Sequence, residues 1–276
     1  RVATTRVNDL ARTGRILNRN SCENMIEIVR AAGIGELYAA FDGVPALIVS
    51  AGPSLDKNID ALRMAEGKAL ILAVDTALPA LMKRGIRPDV VFSGDFRDKS
   101  RFFAGIETRD VPLAFHAETS AATVRAHKGP KIAIASTNPL PAWIDTLGEN
   151  KGTMERGMSV AHLAFNAALK FGCSPLILVG QDLAYSQDSA YASGTGIEGR
   201  TGTREGKLMC VTSRYTGEEL MTKEEFYIYL RYFEERIATS GARVVNATEG
   251  GAGITGAQQL SLSQAIERYC TRSVDT

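Results

Sequence analysis

Chemistry in this chain is best sought where small, hydroxyl-bearing and carboxylate-bearing residues follow short apolar runs. After Ala46 to Val49 comes Ser50-Ala51-Gly52-Pro53-Ser54-Leu55-Asp56. A glycine lets the backbone approach a ligand, a proline fixes the turn, and a serine can cap the next helix or hydrogen-bond a phosphate oxygen. The same residues also suit an ordinary strand-to-helix turn, since the run is neither a Walker A loop nor a G-x-G-x-x-G. Three other apolar runs end in Asp75-Thr76, Ser93-Gly94-Asp95 and Gly180-Gln181-Asp182. One aspartate at a strand end is commonly a helix cap. Three of them beside a Gly-Pro-Ser turn favour a site, with ribose or base hydrogen bonding, Mg²⁺ coordination or general-base work as the available roles. Of the histidines, His116 ends an apolar run and is the one placed to act as acid or base. His162 lies inside the helical Ser159-Val160-Ala161-His162-Leu163-Ala164 and reads as structural, while His127 lies near a helix end beside Lys128. Asn246-Ala247-Thr248-Glu249-Gly250-Gly251 follows the last apolar run, either projecting from the same edge or serving as a flexible connection. There is no G-x-S-x-G elbow and no histidine pair at metal-ligand spacing, so no metal ligand is assigned.

The elements that must carry these residues alternate. Aliphatic runs recur at Ala46 to Val49, Ala69 to Val74, Val90 to Phe92, Leu113 to Phe115, Ile132 to Ala135, Leu176 to Val179 and Val244 to Val245, most of them separated by amphipathic stretches of helix length. Continuous apolar strands alternating with helices predict an α/β fold with a Rossmann-like, mostly parallel sheet and helices on both faces. In such a sheet ligands bind outside the carboxyl ends of the strands, where helix N-termini present unpaired N–H groups. Gly85, Gly172 and Gly241 each close a helix-like segment shortly before a strand, as a left-handed C-terminal cap does. Thr222-Lys223-Glu224-Glu225 has capping-box spacing and predicts a helix over about 223–239, whose Phe226, Tyr229, Leu230 and Phe233 share one face and read as core or a subunit contact rather than a base-stacking platform. Residues 10–33 have helical spacing without strand alternation. The expected organisation is thus a helical lead-in over 1–43 and a nucleotide-binding domain over 44–276. A polar Gly/Ser/Thr-rich stretch at about 185–217 far exceeds the usual connection of about 4 to 6 residues and reads as a lid or a disordered insertion.

Composition narrows the partners. The 276 residues carry 32 Lys+Arg against 31 Asp+Glu, a formal charge of +1, which gives no global nucleic-acid footprint. Cys22, Cys173, Cys210 and Cys270 are scattered without a C-x-x-C pair, which suggests neither a disulfide framework nor a zinc site. No apolar run reaches the roughly eighteen residues of a membrane span and no signal-peptide pattern opens the sequence, so the expected location is the cytoplasm. The first residue is Arg1 rather than methionine, as in a fragment or a processed chain.

Several motifs, taken in order, resemble one family. They are Ala46 to Ile59 around Gly52-Pro53-Ser54-Leu55, Ala73-Val74-Asp75-Thr76-Ala77-Leu78, Gly85-Ile86-Arg87-Pro88-Asp89, Gly180-Gln181-Asp182-Leu183-Ala184 and Asn246 to Gly251. This order is similar to that of the family joining bacterial motility accessory factors to the archaeal 6-hydroxymethyl-dihydropterin pyrophosphokinase, over about residues 44–270. A weaker similarity, over the Gly-Pro-Ser-Leu turn and Gly157 to Asp182, reaches the bacterial lipooligosaccharide sialyltransferases. The resemblance implies a nucleotide or nucleotide-sugar ligand, with Gly52, Pro53 and Ser54 meeting its phosphate or ribose and Asp75, Asp95 and Asp182 completing the pocket. Thr76, Gly94, Gly180, Gln181, Asn246 and Glu249 are added as ligand residues, and Asp182, Asp95 and His116 as candidates for the catalytic base. The sialyltransferases use a histidine beyond the aspartate strand, whereas no histidine follows His162 here; members of the closer family often carry a histidine in the loop after Gly-Gln-Asp-Leu, where the nearest counterpart here is Tyr191, a poor base at an ordinary tyrosine pKa near 10. The expected function is transfer of a nonulosonic-type sugar from a CMP donor to a protein such as flagellin. The alternatives are an ATP-using, Mg²⁺-dependent pterin pyrophosphokinase and a non-catalytic nucleotide-binding module.

Overall fold

The structure, a computed structural model, describes residues 2–136, 138–146, 150–185, 191–196 and 208–274. Its helices are α1 (Val2–Arg30), α2 (Leu55–Asn58), α3 (Leu78–Lys83), α4 (Ala121–Ala126), α5 (Pro139–Asp145), α6 (Val160–Lys170), α7 (Glu224–Ser240) and α8 (Leu262–Tyr269). Its strands are β1 (Ala32–Gly33), β2 (Ala46–Val49), β3 (Leu70–Val74), β4 (Val90–Ser93), β5 (Leu113–His116), β6 (Lys131–Ile134), β7 (Leu176–Val179), β8 (Leu208–Thr212), β9 (Glu219–Lys223), β10 (Val244–Asn246) and β11 (Gln258–Gln259). Every apolar run read as a strand forms one, within a residue of its expected ends. Two compact units divide the chain, Arg1–Leu37 with Ser93–Glu155, and Tyr38–Phe92 with Arg156–Thr276.

In the second unit the strands follow the order β4-β3-β2-β7-β10-β11. Neighbours run parallel, with Ala46 to Val49 aligned on Leu70 to Ala73 on one side and on Leu176 to Val179 on the other. All residues of β2, β3 and β7 are buried, so these strands need cover on both faces, and α6 packs across all three. The chain steps outward from β2 through β3 to β4, then returns to β7 and steps the other way to β10. This is the 3-2-1-4-5-6 order of doubly wound sheets, and its switch point lies between β2 and β7. In such sheets the turns after the two strands at the switch point are where ligands bind.

Local chemistry explains where the helices start and stop. Ser159 caps α6 by accepting from the His162 N–H at 3.2 Å, and Gly85, Gly172 and Gly241 hold φ of +67°, +84° and +65°, as expected of left-handed caps. Helix α7 begins at Glu224, but not through the expected capping box. Lys223 is the extended N-cap residue and makes no side-chain cap bond. Thr222 has been drawn into β9, where its hydroxyl donates to the Leu183 carbonyl at 2.7 Å. Of the aromatic stripe of α7, Leu230 and Phe233 are buried in the core and Phe226 and Tyr229 are half-buried. His162 stacks on Tyr232 at 4.1 Å and meets Phe233 edge-on at 4.6 Å, and burial lowers its pKa to about 4, in keeping with a structural role.

Within the expected insertion, residues 186–190 and 197–207 lie outside the described residues. The rest is not without structure. Strands β8 and β9 pair antiparallel from Leu208↔Lys223 to Thr212↔Glu219 across a turn closed by Gly217 N–H on the Ser213 carbonyl. Only Val211 of β8 is buried, with Cys210 and Thr212 exposed on either side. One buried side chain is too weak an alternation to announce a strand.

In the first unit β1, β6 and β5 lie side by side in parallel. Helix α1 belongs to this unit and lies against α4, α5 and β6. Two buried asparagines fix it there. Asn20 donates to the carbonyls of Phe96 and Glu118, and Asn24 to those of Ala117 and Thr119, at 2.7–3.1 Å. Buried backbone oxygens that no strand partner reaches are thereby satisfied, which makes the contact specific as well as apolar.

Candidate functional site

Three turns meet at the β2–β7 switch point. The first, Ser50 to Ser54, follows β2 and starts α2. Ser54 does not cap that helix with its side chain. Its hydroxyl and its N–H instead donate to Oδ2 of Asp182, at 2.7 and 3.2 Å. The second turn, Gly180 to Leu183, follows β7. It is held to the first by Gly52 N–H on the Gly180 carbonyl at 2.8 Å and by the Ser50 hydroxyl on Gln181 Oε1 at 2.7 Å. The third turn, Ala247 to Gly253, follows β10. Thr248 Oγ1 accepts from the Gln181 N–H at 3.2 Å, and Ala252 N–H donates to the Asp182 carbonyl at 2.7 Å.

Gly52 has a reason that the sequence did not reveal. A Cβ built there would lie 2.0 Å from Asp182 Oδ2 and 2.5 Å from the Gly180 carbonyl oxygen. The close approach that demands glycine is therefore to Asp182 and the neighbouring turn. Gly251 is similarly constrained, at φ +67° with Asp182 main-chain atoms 2.1–2.6 Å from a would-be Cβ. Two residues other than glycine, Leu183 and Glu249, also hold positive φ, +53° and +59°, one in the turn that contains Asp182 and one in the turn after β10. Such backbone is strained and must be held by its surroundings.

Asp182 is the chemical centre of this arrangement. It is 4% exposed, and its Oδ1 has no hydrogen-bond partner, although its Oδ2 has two. Burial pushes the carboxyl from 3.8 up to about 6, against the opposing pull of the Ser54 donors and of Lys57. A buried carboxylate titrating close to neutrality, with one oxygen anchored and the other uncommitted, suits a group that takes a proton or accepts a ligand hydroxyl. Two more unpartnered polar atoms lie at the end of β10 and in α2, Nδ2 of the fully buried Asn246 and Oδ1 of Asn58.

The other expected site residues fall into two groups. Asp75 and Thr76 follow β3, the neighbour of β2, and Asp75 is 2% exposed with its N–H on the Phe92 carbonyl. Glu249 is committed structurally, since its Oε1 accepts from Asn58 Nδ2 at 2.9 Å and from the Leu262 N–H at the start of α8 at 2.8 Å. Lys57 Nζ donates to the Glu249 carbonyl at 3.3 Å. Gly94, Asp95 and His116 belong to the first unit. There Asp95 is paired with Arg97 and Lys99 at 3.1 and 3.2 Å. Burial raises its pKa, but the Arg97 N–H and the two cations outweigh burial and hold it below the usual value. Asp95 is therefore a weaker base than Asp182. His116 is buried at the end of β5, its N–H on Thr119 Oγ1. Sequence reasoning missed Ser50, Asn58 and Thr248, which act through partners more than 60 residues away and carry no local signature.

The switch-point topology and the three interlocked turns define a doubly wound α/β protein with a buried, perturbed aspartate at its switch point. The chain belongs to the family described as 6-hydroxymethylpterin diphosphokinase MptE-like, whose family model matches residues 19–188. Among solved structures it is similar to that of the MAf glycosyltransferase from Magnetospirillum magneticum AMB-1, with a TM-score of 0.62 and 16% identity over 87% of this chain. At that identity the likeness is one of fold. The chain spans 38% of the length of that protein. No curated protein matches the sequence. None of the described helices is long and apolar enough to cross a membrane.

Proposed function

We propose that this chain is a transferase of the glycosyltransferase kind, which moves a nonulosonic-type sugar from a CMP donor to a hydroxyl of a protein such as flagellin in the cytoplasm. The observation that carries the reading is Asp182, buried at the switch point, anchored by Ser54 through Oδ2 and uncommitted at Oδ1. In the transfer, the bond from the anomeric carbon to the donor phosphate breaks and the bond to the acceptor oxygen forms. CMP departs with the electron pair, and the acceptor proton goes to a base. Asp182, titrating near 6, is ionised at neutral pH yet basic enough to take that proton. On this reading the Gly-Pro-Ser turn at the start of α2 holds Asp182 in place through the Ser54 donors and brings it close to the donor's phosphate and ribose. Support also comes from the glycosyltransferase fold likeness.

The second reading, diphosphate transfer from ATP to a pterin alcohol, is favoured by the family description. Among the described residues no three His, Cys, Asp or Glu side chains are gathered as a metal site. A Mg²⁺ on this reading would be held largely by substrate phosphates and water, with Asp182 Oδ1 as the fitting carboxylate. The metal would supply charge neutralisation, and Asp182 would orient it.

Melting temperatures measured with CMP or ATP, with and without Mg²⁺, separate the two. A ligand at about 100 times its Kd stabilises the native state by about 2.7 kcal/mol. Metal-independent stabilisation by CMP supports the sugar transferase, and Mg²⁺-dependent stabilisation by ATP supports the diphosphate reading. Unchanged CMP binding in Ser54→Leu would overturn the assignment of the turn.

A further inference from the structure

We infer that the β8–β9 hairpin is the clamp that holds two turns, the one that contains Asp182 and the one after β10, in their strained shape, with Thr222 as the positioning residue for the first and Tyr215 for the second. The inference rests on the reading of Asp182 as the centre of the ligand site. The hairpin reaches the first of these turns from β9. Thr222, wholly buried, donates its hydroxyl to the Leu183 carbonyl at 2.7 Å, and the Met221 carbonyl accepts from the Tyr185 N–H at 2.9 Å. Leu183 is the residue held at φ +53°, directly after Asp182. A carbonyl tied on the far side of a left-handed leucine prevents the turn from relaxing to ordinary backbone, which would swing the Asp182 carboxyl away from Ser54.

From its tip and from β8 the hairpin reaches the second turn. The Tyr215 hydroxyl lies 2.6 Å from the Asn246 carbonyl and 3.2 Å from that of Leu260, bracketing the segment that contains strained Glu249. Gly253 N–H donates to the Thr212 carbonyl at 2.8 Å, and the Arg214 side chain packs so closely on Gly253 that a Cβ there would lie 2.2 Å from Arg214 Cγ. The hairpin thus grips the turn that contains Asp182 and the turn after β10, and among the described residues none of its side chains hydrogen-bonds the carboxylate. Thr222 and Tyr215 act by setting the orientation of the site.

The test is amide hydrogen exchange on the ligand-free chain, combined with nucleotide affinity from the melting-temperature titration. Thr222→Val removes the hydroxyl at constant shape, Thr222→Ser restores it, and Tyr215→Phe loosens the other turn. Loss of one such bond is expected to speed exchange roughly three- to tenfold in the 181–185 segment for Thr222→Val and in the 246–253 segment for Tyr215→Phe. Exchange is expected to return toward the original rate in Thr222→Ser. Nucleotide affinity is expected to weaken by a similar factor in the first and third variants. Unchanged exchange in both turns overturns the inference, and so does uniform acceleration across the second unit, which would mark the two hydroxyls as general stabilisers. If exchange responds locally but the unsubstituted chain binds neither CMP nor ATP, the clamp stands and the proposed function fails.

Discussion

Replacing Asp182 with asparagine should change how stability depends on pH, by an amount that follows from the site. In the folded chain burial raises this carboxyl from 3.8 to about 6, a shift of about two units. At 1.36 kcal/mol per unit this is about 3 kcal/mol between the two protonation states. The sign runs opposite to that of a salt-bridged aspartate. Between pH 4 and 6 the folded chain holds the proton while the unfolded chain releases it, so the stabilisation is full below about pH 4 and lost as pH rises through 6. The substituted asparagine would keep an amide oxygen for Ser54 but cannot titrate. Urea unfolding followed by circular dichroism at pH 4 to 7.5 on both proteins cancels every other carboxylate. The stability of the original protein minus that of Asp182→Asn should fall by about 3 kcal/mol across this range, most steeply between pH 4 and 6. A flat difference would show that the carboxyl is solvated and that the closed geometry around Asp182 is wrong. A difference that rises with pH would mean the Ser54 and Lys57 interactions outweigh burial.

Other expectations follow from individual contacts. Gly52→Ala forces a Cβ into Asp182 Oδ2 and the Gly180 carbonyl. It should cost about 1–3 kcal/mol in chemical denaturation, and only part of that loss should persist in an Asp182→Ala background, where the contact with Gly180 remains. Phe233→Ala, on the buried face of α7 against His162 and Phe165, should cost about 3–5 kcal/mol by the same assay. Ser261→Ala removes half of the capping box at the start of α8 and should cost about 1 kcal/mol. The ring protons of His162 should show no titration between pH 5 and 8 by NMR, because burial holds the pKa near 4; a midpoint near 6.5 would mean that the ring is not packed among Tyr229, Tyr232 and Phe233.

The parallel sheet was legible because its signal is local. Ala46 to Val49 or Leu176 to Val179 are apolar at every position, and such short, aliphatic runs repeated between helix-length stretches fit strands buried on both faces. Gly85, Gly172 and Gly241 mark helix ends for an equally local reason, the positive φ at which a side chain is penalised. The hairpin was not legible. Val211 buries one side chain of β8, and Gly217 was read as the end of a polar stretch when it closes the hairpin turn.

Residue types and order along the chain thus determined the strands, the parallel α/β class of the sheet they form, and the family to which the chain belongs, whereas the order of the strands came from the tertiary structure. What the side chains do was decided by tertiary structure. Ser54, equally suited to cap a helix, gives its hydroxyl to Asp182, 128 residues away. Thr222, with the spacing of a capping box, gives its own to Leu183, 39 residues away. Glu249, a candidate ligand group, spends its carboxylate on Asn58 and the start of α8. A hydroxyl or carboxylate has several acceptable partners in sequence, and only the packing of the turns selects among them. The perturbation of Asp182 has the same origin, because desolvation is a property of everything packed around a group and leaves no trace in its neighbours along the chain.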